Sequence, residues 1–258
     1  MSWTYSAVKN SERSSRARAV NNLAKSAILG DFLYSGSTVL DLGCGRGGDL
    51  GKYQKSNVSF LLGVDRDANA ISEAKNRRKS CLINKVEFIV GDAFAKKHNF
   101  GHEFDFVVSN LAFHYAFEND ESLSTAFENI SRHLVQEGYC IITVPNAQKV
   151  LDAAESLQRD DDLFQIFLRD KKYIFKSVDC DKPFVEPLVD QNKLIYYSRR
   201  NGLSQVKRCS FRELAEREKS DPQSEVWPIF RRSCGNLKLD KNEWSLVDLY
   251  EAIVYQKN

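Results

Sequence analysis

Glycines and acidic residues in the first third of the chain are the residues best placed to do chemistry. Residues 38–49 form a short aliphatic run that closes on an acid and is followed by four glycines in six positions. Glycine in such a turn permits positive φ and leaves the backbone bare, while the first amides of the next helix point at a ligand. The pattern therefore predicts a strand, a nucleotide-binding turn and a helix.

The glycine turn by itself leaves two ligand classes open. Gly43, Gly45 and Gly48 also satisfy the GxGxxG spacing of dinucleotide-binding turns. Asp41, two residues before the first glycine, favours the other class. The run Val-Leu-Asp-Leu-Gly-Cys-Gly resembles the first motif of class I S-adenosylmethionine-dependent methyltransferases. In that family the acid helps to orient the methionine end of the cofactor.

Two further acids follow later strands. Asp65 stands 22 positions after Gly43, where a doubly wound fold places a carboxylate on a ribose diol. Asp92 follows the third strand and could accept a hydrogen bond from an adenine amino group. Structural alternatives exist, because Asp41 could cap its own turn and Asp92 could form an Asx turn. Asp65 could cap the helix that begins near Asp67. Since ligands in open α/β sheets bind beyond the carboxyl ends of the strands, the three acids together favour a cofactor edge.

Strand and helix patterns alternate through most of the chain, which predicts an α/β fold with a doubly wound parallel sheet flanked by helices. The resemblance to class I methyltransferases implies a Rossmann-like sheet of their type, in which the last strand is antiparallel. We expect strands at 38–42, 60–65, 86–91, 104–109, 139–144, 194–198 and 246–256, with the last one antiparallel. We expect helices at 12–30, at 211–219 and between the strands. The alternation lapses from about 146 to 192, which indicates a substrate-side insertion after the fifth strand. We predict a single domain, 1–258, with a basic helical segment at 1–35.

Length, composition and charge narrow the functional classes. A chain of 258 residues with 42% apolar residues can bury one large core. The net charge of +2 excludes a strongly cationic nucleic-acid coat. Local charge is uneven, since residues 152–190 are rich in acids while the first 25 residues are basic. The basic residues there are Lys9, Arg13, Arg16, Arg18 and Lys25, against Glu12. We expect a polyanion to meet this N-terminal region.

Six cysteines occur without a CxxC pair or a zinc-like spacing, so we expect free thiols in a reducing compartment and no metal site. Cys44 lies inside the glycine turn and is interpreted as a small packed side chain. We see no secretory leader and no apolar run of membrane-spanning length. We expect a soluble intracellular protein without a membrane partner, nuclear if it comes from a eukaryotic cell and cytoplasmic if it is viral or plasmid-encoded.

An aromatic run after the fourth strand carries a more specific resemblance. Residues 113–117 read Phe-His-Tyr-Ala-Phe, and residues 18–25 read Arg-Ala-Val-Asn-Asn-Leu-Ala-Lys. Val-Pro-Asn-Ala at 144–147 and Leu-Tyr-Glu-Ala-Ile-Val-Tyr-Gln-Lys at 249–257 accompany them. With the glycine turn, these segments resemble the mRNA cap guanine-N7 methyltransferases from about Tyr5 to Lys257. The resemblance implies methyl transfer from S-adenosylmethionine to N7 of the guanine of 5′-capped RNA.

The resemblance also implies a role for each matching residue. The implied cofactor-binding residues are Lys25, Asp41, Gly43, Gly45, Asp65, Asp92 and Asn110. The implied substrate-binding residues are Asn21, Arg46, Arg77, His114, Tyr115 and Tyr250. Within these sets Lys25 would bind the cofactor carboxylate, the two arginines would lie near the triphosphate, and His114 and Tyr115 would position the guanine. Guanine N7 has a free lone pair and no proton, so no acid–base residue is expected.

Three departures from the family pattern count against the match, and a fourth, at Arg46, does not. Asn110 stands where the family often has glutamine, and Leu111 stands where it has phenylalanine. The family's guanine-contacting glutamate falls at or near Lys193, whose ammonium group cannot accept a hydrogen bond. Glu186 or Asp190 could supply that carboxylate instead. Arg46 replaces a usual lysine and can still bind phosphate through its planar fork.

Other functions stay open on the sequence alone. The departures also fit another S-adenosylmethionine-dependent enzyme that acts on RNA or a small molecule, or a non-catalytic cap-methyltransferase-like binding subunit. An NAD-dependent dehydrogenase is disfavoured by Asp92 and by the expected antiparallel last strand. The Lys-x-Asp-Gly motif of nucleotidyl transfer is absent. Guanylyl transfer is therefore expected from a separate guanylyltransferase/triphosphatase polypeptide. His98, His102 and His133 are interpreted as surface residues.

Overall fold

The computed structural model of the chain describes residues 12–156, 163–178, 180 and 182–258. Lys9 and the side chain of Arg13, which belong to the expected basic segment, lie outside the described residues. The helices are α1 (Glu12–Phe32), α2 (Leu50–Lys55), α3 (Ala68–Arg78), α4 (Asp120–His133), α5 (Ala147–Ser156), α6 (Gln191–Arg200), α7 (Phe211–Ser220), α8 (Trp227–Phe230) and α9 (Lys241–Asp248). Two short 3-10 turns cover Phe113–Glu118 and Gly235–Leu237.

The strands form two separate sheets. They are β1 (Thr38–Leu42), β2 (Phe60–Asp65), β3 (Lys85–Val90), β4 (Phe104–Asn110), β5 (Leu134–Pro145), β6 (Phe164–Arg169), β7 (Lys172–Ser177), β8 (Phe184–Pro187), β9 (Leu203–Ser210) and β10 (Tyr250–Lys257). The larger sheet has seven strands in the order β3-β2-β1-β4-β5-β10-β9. The smaller sheet has three, in the order β6-β7-β8.

The first five strands of the large sheet run parallel, as the alternating pattern predicted. Asp41 of β1 lies opposite Gly63 of β2 and Val108 of β4 in the ladder. Val39 and Val108 are fully buried and typify the continuous apolar runs of these strands. Such runs are expected where helices cover both faces of a parallel sheet. Five parallel strands therefore bring their carboxyl ends to one edge.

The last strand is antiparallel to its neighbours, which confirms the expected class I methyltransferase arrangement. The side chain of Gln256, near the end of β10, donates to the carbonyl of Glu137 near the start of β5. The amide of Asn146, just after β5, donates to the carbonyl of Leu249, just before β10. The end of β10 therefore lies beside the start of β5, and the start of β10 lies beside the end of β5, as in an antiparallel pair. β10 begins later than predicted, because residues 246–248 belong to α9, whose capping box of Asp240 and Glu243 starts the helix.

The expected strand at 194–198 is wrong, since these residues belong to α6. The Asp190 carboxylate accepts from the amides of Asn192 and Lys193 and caps that helix. Leu194 and Ser198, four residues apart, form its buried side. The strand that follows the insertion is β9, which begins at Leu203. A short apolar and aromatic run fits either element, and the cap decided for the helix.

The insertion has more regular structure than the sequence indicated. After α5, the strands β6, β7 and β8 pair antiparallel, with Phe164 opposite Ser177 and Tyr173 opposite Glu186. Phe164 and Tyr173 are almost fully buried.

The chain divides into two compact units. Unit 1 comprises Met1–Ile28, Pro145–Val189 and Cys209–Ala252, and unit 2 comprises Leu29–Val144, Asp190–Arg208 and Ile253–Asn258. Most of the large sheet lies in unit 2, and the three-stranded sheet lies in unit 1. The single domain 1–258 remains a prediction.

Candidate functional site

The glycine turn of unit 2 has two closely packed glycines, Gly43 and Gly47, and an open outer side. A Cβ at Gly47, which has φ +70°, would lie 3.0 Å from Leu50 Cδ1 and 3.3 Å from Ala74 Cβ. Gly43 has φ +81°, and a Cβ there would lie 2.4 Å from the Cβ of Ala112. Gly45 has φ +51°, and a Cβ there would meet only Asp65, with Oδ2 at 4.0 Å. A Cβ at Gly48 would meet nothing within 4 Å. The chain's own packing therefore requires glycine at 43, whereas the turn leaves space beside 45 and 48 where a ligand can lie against bare backbone.

The carboxylate of Asp65 ties the end of β2 to the glycine turn. Its Oδ2 accepts from the amide of Gly45 at 2.8 Å, and its Oδ1 accepts from the amide of Asp67 at 2.9 Å. The helix cap is Asp67, which accepts from Asn69 and Ala70, so the alternative that Asp65 caps α3 is wrong. Each oxygen of Asp65 can accept a further donor such as a ribose hydroxyl. The ribose role remains a prediction.

Asp92 forms an Asx turn, as its structural alternative proposed. Its Oδ1 accepts from the amides of Phe94 and Ala95 at 3.1 and 3.0 Å. The turn fixes the carboxyl group just beyond β3. A fixed carboxylate can still accept from a ligand amino group through its second oxygen, so the turn is compatible with the predicted adenine contact.

Acids surround the first part of the glycine turn and set its electrostatics. Asp41 is buried, with 4% of its surface exposed. Burial raises the pKa of the Cys44 thiol far above its ordinary value, and Asp41 and Asp65 raise it further. Burial also raises the pKa of the Tyr53 phenol, with added contributions from Asp41 and Asp49. Cys44 is thus a protonated, packed thiol, as expected, and the negative surroundings favour a positively charged ligand group.

Asn110 joins the end of β4 to the glycine turn. Its Nδ2 donates to Asp49 Oδ2 at 3.1 Å, and Thr143 Oγ1 donates to its Oδ1 at 3.2 Å. The other oxygen of Asp49 holds Lys52 Nζ at 2.6 Å. Sequence reasoning missed Asp49. Its position between the last glycine of the turn and the first residue of α2 was the available signal.

Leu111 adopts a left-handed conformation, with φ +53°. Its amide donates to both the carbonyl and the hydroxyl oxygen of Thr143, at 3.0 and 2.9 Å. A leucine in this region of φ costs free energy and persists only where its surroundings hold it. The strained residue directly precedes the aromatic run. It therefore fixes the direction in which the chain leaves β4.

The aromatic run forms the 3-10 turn Phe113–Glu118. Phe113 and Ala116, three residues apart, are fully buried and supply the core side of the turn. The His114 ring is 2% exposed and lies 4.2 Å from the ring of Tyr115, which is partly exposed. The Arg66 guanidinium carbon lies 5.7 Å from the centre of the Tyr115 ring. His114 is buried next to Phe113, and the role of His114 and Tyr115 in positioning guanine remains a prediction.

Arg46 and Arg77 lie along the same side of α3. Arg46 Nη1 lies 3.4 Å from the carboxylate of Glu73, and both side chains are partly exposed. Glu73 is one helical turn before Arg77, which is exposed. Both arginines therefore have Glu73 as a neighbour, and their contact with a triphosphate remains a prediction.

Asn21 and Lys25 lie one turn apart on α1, in the part of the helix that belongs to unit 1. Asn21 Oδ1 is buried and accepts no hydrogen bond from the residues that the structure describes. A buried acceptor of this kind is rare without a ligand or water donor. Tyr250, also in unit 1, has its ring 5.7 Å from that of Phe211.

The structure distinguishes the three positions considered for the family's guanine-contacting glutamate. Lys193 lies in the first turn of α6 and pairs with Asp120, so it is no strand residue. The Asp190 carboxylate is engaged as the cap of α6. Glu186 lies on β8 and accepts a hydrogen bond from the hydroxyl of Tyr173 on β7. Glu186 is therefore the candidate whose orientation is set by a neighbouring strand.

The interpretation of all three histidines as surface residues is partly wrong. His102 is exposed, as expected, but His133 is 2% exposed and His98 is only partly exposed. In the described part of the chain, no cluster of three His, Cys, Asp or Glu side chains could hold a metal ion. No helix among the described residues is long and apolar enough to cross a bilayer.

The family model for the mRNA (guanine-N(7))-methyltransferase domain matches residues 4–258. The chain belongs to the mRNA (guanine-N7)-methyltransferase family. An mRNA cap guanine-N(7) methyltransferase of Cryptococcus neoformans is 26% identical over 268 residues, which cover 92% of this chain and 37% of that protein. The enzyme of that name from Saccharomyces cerevisiae is 32% identical over 143 residues, 52% of this chain and 33% of that protein.

This member of the guanine-N7 methyltransferase family spans about two fifths of the length of the two Cryptococcus neoformans relatives that it matches. Among solved structures, an S-adenosylmethionine-dependent methyltransferase from Clostridium acetobutylicum has a TM-score of 0.59 at 15% identity. The alignment covers 94% of this chain and 92% of that one. A protein from Pyrococcus horikoshii has a TM-score of 0.62 at 17% identity, covering 99% and 95%. At this identity the likeness establishes the methyltransferase fold.

Proposed function

We propose that this chain transfers a methyl group from S-adenosylmethionine to N7 of the guanine cap of mRNA. The observation that carries the proposal is the edge of unit 2, where the glycine turn, Asp65 and Asp92 lie beyond parallel strands and the His114–Tyr115 turn follows the next one. The family match over residues 4–258 supports it. The named activity of the relatives belongs to longer proteins, so substrate and activity are proposals for this chain.

The residues of unit 2 fit S-adenosylmethionine. The open side of the glycine turn at Gly45 and Gly48 leaves room for the methionine end of the cofactor against bare backbone. The buried carboxylate of Asp41 makes the site negative, which favours a cationic ligand. Asp65 would hold the ribose and Asp92 the adenine. When bound, the cofactor supplies an electrophilic methyl group on a positively charged sulfur.

The chain's contribution to methyl transfer would be to hold the guanine and the cofactor in line. Guanine N7 attacks through a free lone pair in line with the leaving sulfur, so no side chain has to take up a proton. Holding two reactants in line can supply about 7 to 11 kcal/mol of the barrier. His114 and Tyr115 would hold the purine, and aromatic faces favour the positive charge that develops on it. Asn21 Oδ1 and a carboxylate would accept from its N–H groups.

We further propose Glu186 as that carboxylate. Guanine N1–H and N2–H need an acceptor, which the ammonium group of Lys193 cannot provide. The Tyr173 hydroxyl fixes Glu186 through a hydrogen bond across the β7–β8 ladder. Asp190 already accepts two backbone amides as a helix cap.

Replacing Glu186 by glutamine should lower kcat/KM for capped RNA about tenfold or more, because a hydrogen bond to a charged acceptor contributes about 1.5 to 3 kcal/mol. The affinity for S-adenosylhomocysteine should not change. Asp190→Asn is the matched control, since asparagine caps a helix as well as aspartate does. Steady-state kinetics and calorimetry measure both. Equal turnover by Glu186→Gln and wild type, with a loss in Asp190→Asn, would reverse the assignment.

Charge reversal at Arg46 or Arg77 should raise the apparent KM for capped RNA more than it alters binding of S-adenosylhomocysteine. Arg46 pairs with Glu73 of α3, and Arg77 follows Glu73 by one helical turn, so a triphosphate beside this part of the helix would meet two positive charges. The difference from wild type should shrink as salt rises, because exposed charge pairs are screened. Arg78→Glu, on the next residue of the helix, is the control. Salt-independent binding of capped RNA would contradict the proposed contact.

The proposal is tested by one methyl-transfer assay with labelled cofactor. GpppA- and GpppG-capped RNA are the substrates, and GTP and an adenosine-capped RNA are the controls. We expect 7-methylguanosine from the guanine-capped RNAs alone. Methylation elsewhere would indicate another RNA or small-molecule methyltransferase. Tight cofactor binding with no transfer to any acceptor would indicate a non-catalytic subunit.

We propose capped RNA as the partner, with a separate guanylyltransferase/triphosphatase polypeptide supplying the unmethylated cap. The chemistry requires this order, because a guanine must already be joined through its triphosphate before its N7 can be methylated as a cap. An intracellular location follows from that substrate, and fractionation of source cells tests it.

A further inference from the structure

A compact loop after β3 carries the residues predicted to meet the cofactor adenine. This β3 loop, residues 91–100, is closed by its own hydrogen bonds. Asp92 forms the Asx turn, and the carbonyl of Asp92 accepts from the amide of Lys96 at 3.2 Å and from His98 Nε2 at 3.0 Å. The ring of Phe94 packs edge-on against Phe113, with centroids 5.8 Å apart. The position of the loop therefore decides where the Asp92 carboxylate stands.

The side chain of Asn129 on α4 is hydrogen-bonded to the backbone of the β3 loop. It is 1% exposed. Its Nδ2 donates to the carbonyls of Ala93 and Lys96, at 2.8 and 2.7 Å, and its Oδ1 accepts from the amide of His98 at 3.0 Å. One buried amide thus binds three backbone groups of the β3 loop.

His133, one turn further along α4, holds the end of the loop. Its Nδ1 lies 2.8 Å from the carbonyl of Asn129, and the amide of Phe100 donates to its Nε2 at 3.1 Å. A carbonyl only accepts and an amide only donates, so Nδ1 carries the proton and Nε2 does not. The Phe100 ring lies over His133 at 4.7 Å and stacks on His98 at 5.1 Å. The neutral imidazole is therefore built into the loop anchor.

The polar pair does more than helix stability requires. Asparagine and histidine are poorer helix formers than the alanine or leucine that could fill a buried helix face. Their buried polar atoms are satisfied by the loop backbone, and each such bond is lost if the loop shifts. α4 contributes no predicted cofactor contact itself. Its link to the site runs through the β3 loop.

We infer that Asn129 and His133 are positioning residues that set adenine selectivity, by holding the β3 loop so that the Asp92 carboxylate faces the adenine amino group. The inference rests on the proposed function, because it takes S-adenosylmethionine as the cofactor. Neither residue touches the cofactor. They act through the backbone of residues 93–100.

The selectivity can be measured with two product analogues that differ at one group. S-adenosylhomocysteine has the 6-amino donor, and S-inosylhomocysteine has a carbonyl there. Wild type should prefer the adenosine compound, since a carboxylate cannot accept from a carbonyl and the two would repel. The ratio of the two dissociation constants, from calorimetry, reports where the Asp92 carboxylate stands. It is insensitive to a uniform loss of stability.

Asn129→Asp should reduce that ratio at least fivefold. The variant keeps the acceptor for His98 but sets an oxygen against the carbonyls of Ala93 and Lys96. Ser131→Ala is the matched control, because Ser131 lies on the same helix and donates to Asn201 outside the loop. The ratio for Ser131→Ala should equal that of wild type, and the KM for capped RNA should stay unchanged in both variants.

Acidification tests the same inference without a helix substitution. Burial lowers the pKa of His133 from the ordinary 6.5, while its hydrogen bond to the Asn129 carbonyl raises it; the charges of Arg132 and His98 lower the pKa further, and that of Glu103 raises it. The ammonium group of Lys257 also faces this helix end through the carbonyls of Ser131 and Leu134. Because the folded pKa lies below the unfolded one, the anchor is intact above about pH 6.5 and is lost as pH falls through the folded value. The selectivity ratio of wild type should therefore be constant above about pH 6.5 and fall as the pH is lowered below it, and His133→Gln should show no such fall.

The outcomes distinguish a failure of the proposed function from a failure of the positioning role of Asn129 and His133. Wild type that fails to bind S-adenosylhomocysteine overturns the proposed function. Wild type that binds and discriminates, while Asn129→Asp keeps the full ratio, overturns the positioning role. If Asn129→Asp does not fold, a wild-type ratio that is constant with pH overturns it as well.

Discussion

Replacing Gly43 by alanine is expected to weaken binding of S-adenosylhomocysteine by about 2 to 4 kcal/mol, or about 30- to 1000-fold. The new Cβ would lie 2.4 Å from the Cβ of Ala112, and the backbone has φ +81° there. Overpacking typically costs about 1 to 3 kcal/mol, and the left-handed conformation adds about 1 to 2 kcal/mol for a residue with a side chain. The turn must move to relieve both, and the cofactor loses its backbone support. Calorimetry measures the change.

The control is Gly51→Ala, a glycine in α2 whose added Cβ meets nothing within 4 Å. This variant should bind the analogue as wild type does and should be slightly more stable, since alanine is the better helix former. Melting temperatures show whether the Gly43 variant has lost cofactor binding alone or the fold with it. Undiminished affinity in folded Gly43→Ala would show that the turn does not contact the cofactor.

Removing the His114 side chain should lower methylation of capped RNA about tenfold or more while the affinity for S-adenosylhomocysteine stays nearly intact. A tenfold loss corresponds to one positioning contact of about 1.4 kcal/mol. The ring is buried, so its loss will also cost some stability. The decisive comparison is between turnover and cofactor affinity. Loss of a histidine with only a core role would reduce melting temperature, cofactor binding and turnover together.

Two further variants, prepared in the same way, should be measured alongside His114→Ala. His102→Ala removes an exposed histidine and should leave all three measurements unchanged. His114→Asn retains polar hydrogen-bonding groups and should recover part of the turnover. A folded His114→Ala variant that methylates the cap at the wild-type rate would exclude this residue from guanine positioning.

The elements that the sequence predicted best are those in which local pattern and burial agree. β1, β2 and β4 are short apolar runs with a polar residue at or next to the last position, and the structure has them within one residue of the expected bounds. α6 was missed because Leu-Ile-Tyr-Tyr reads equally well as a strand, and only the Asp190 cap distinguishes the two. β6, β7 and β8 were missed because their charged residues interrupt the alternation on the exposed side.

For the candidate site, residue types and spacing predicted the acids and the glycines but not the groups that hold them. In sequence, Asp49 looks like an ordinary residue at a helix start and Asn129 like an ordinary helix residue. Their roles depend on contacts with Asn110 and with the β3 loop, 61 and up to 36 positions away. His133 was taken for a surface residue because one polar residue at a helix end gives no sign of what covers it. Such contacts arise from the tertiary fold and leave no periodic trace.

The placement of β10 between β5 and β9 also has a consequence for how the sheet is completed during synthesis. β9 is made about forty residues before β10, yet it joins the sheet only through that later strand. Until residues 250–257 have left the ribosome, β5 has an open edge and β9 has no partner in the sheet. At a translation rate of about 5 to 20 residues per second, this interval lasts about two to ten seconds. Nascent chains of this length are therefore the stage most exposed to strand pairing between molecules.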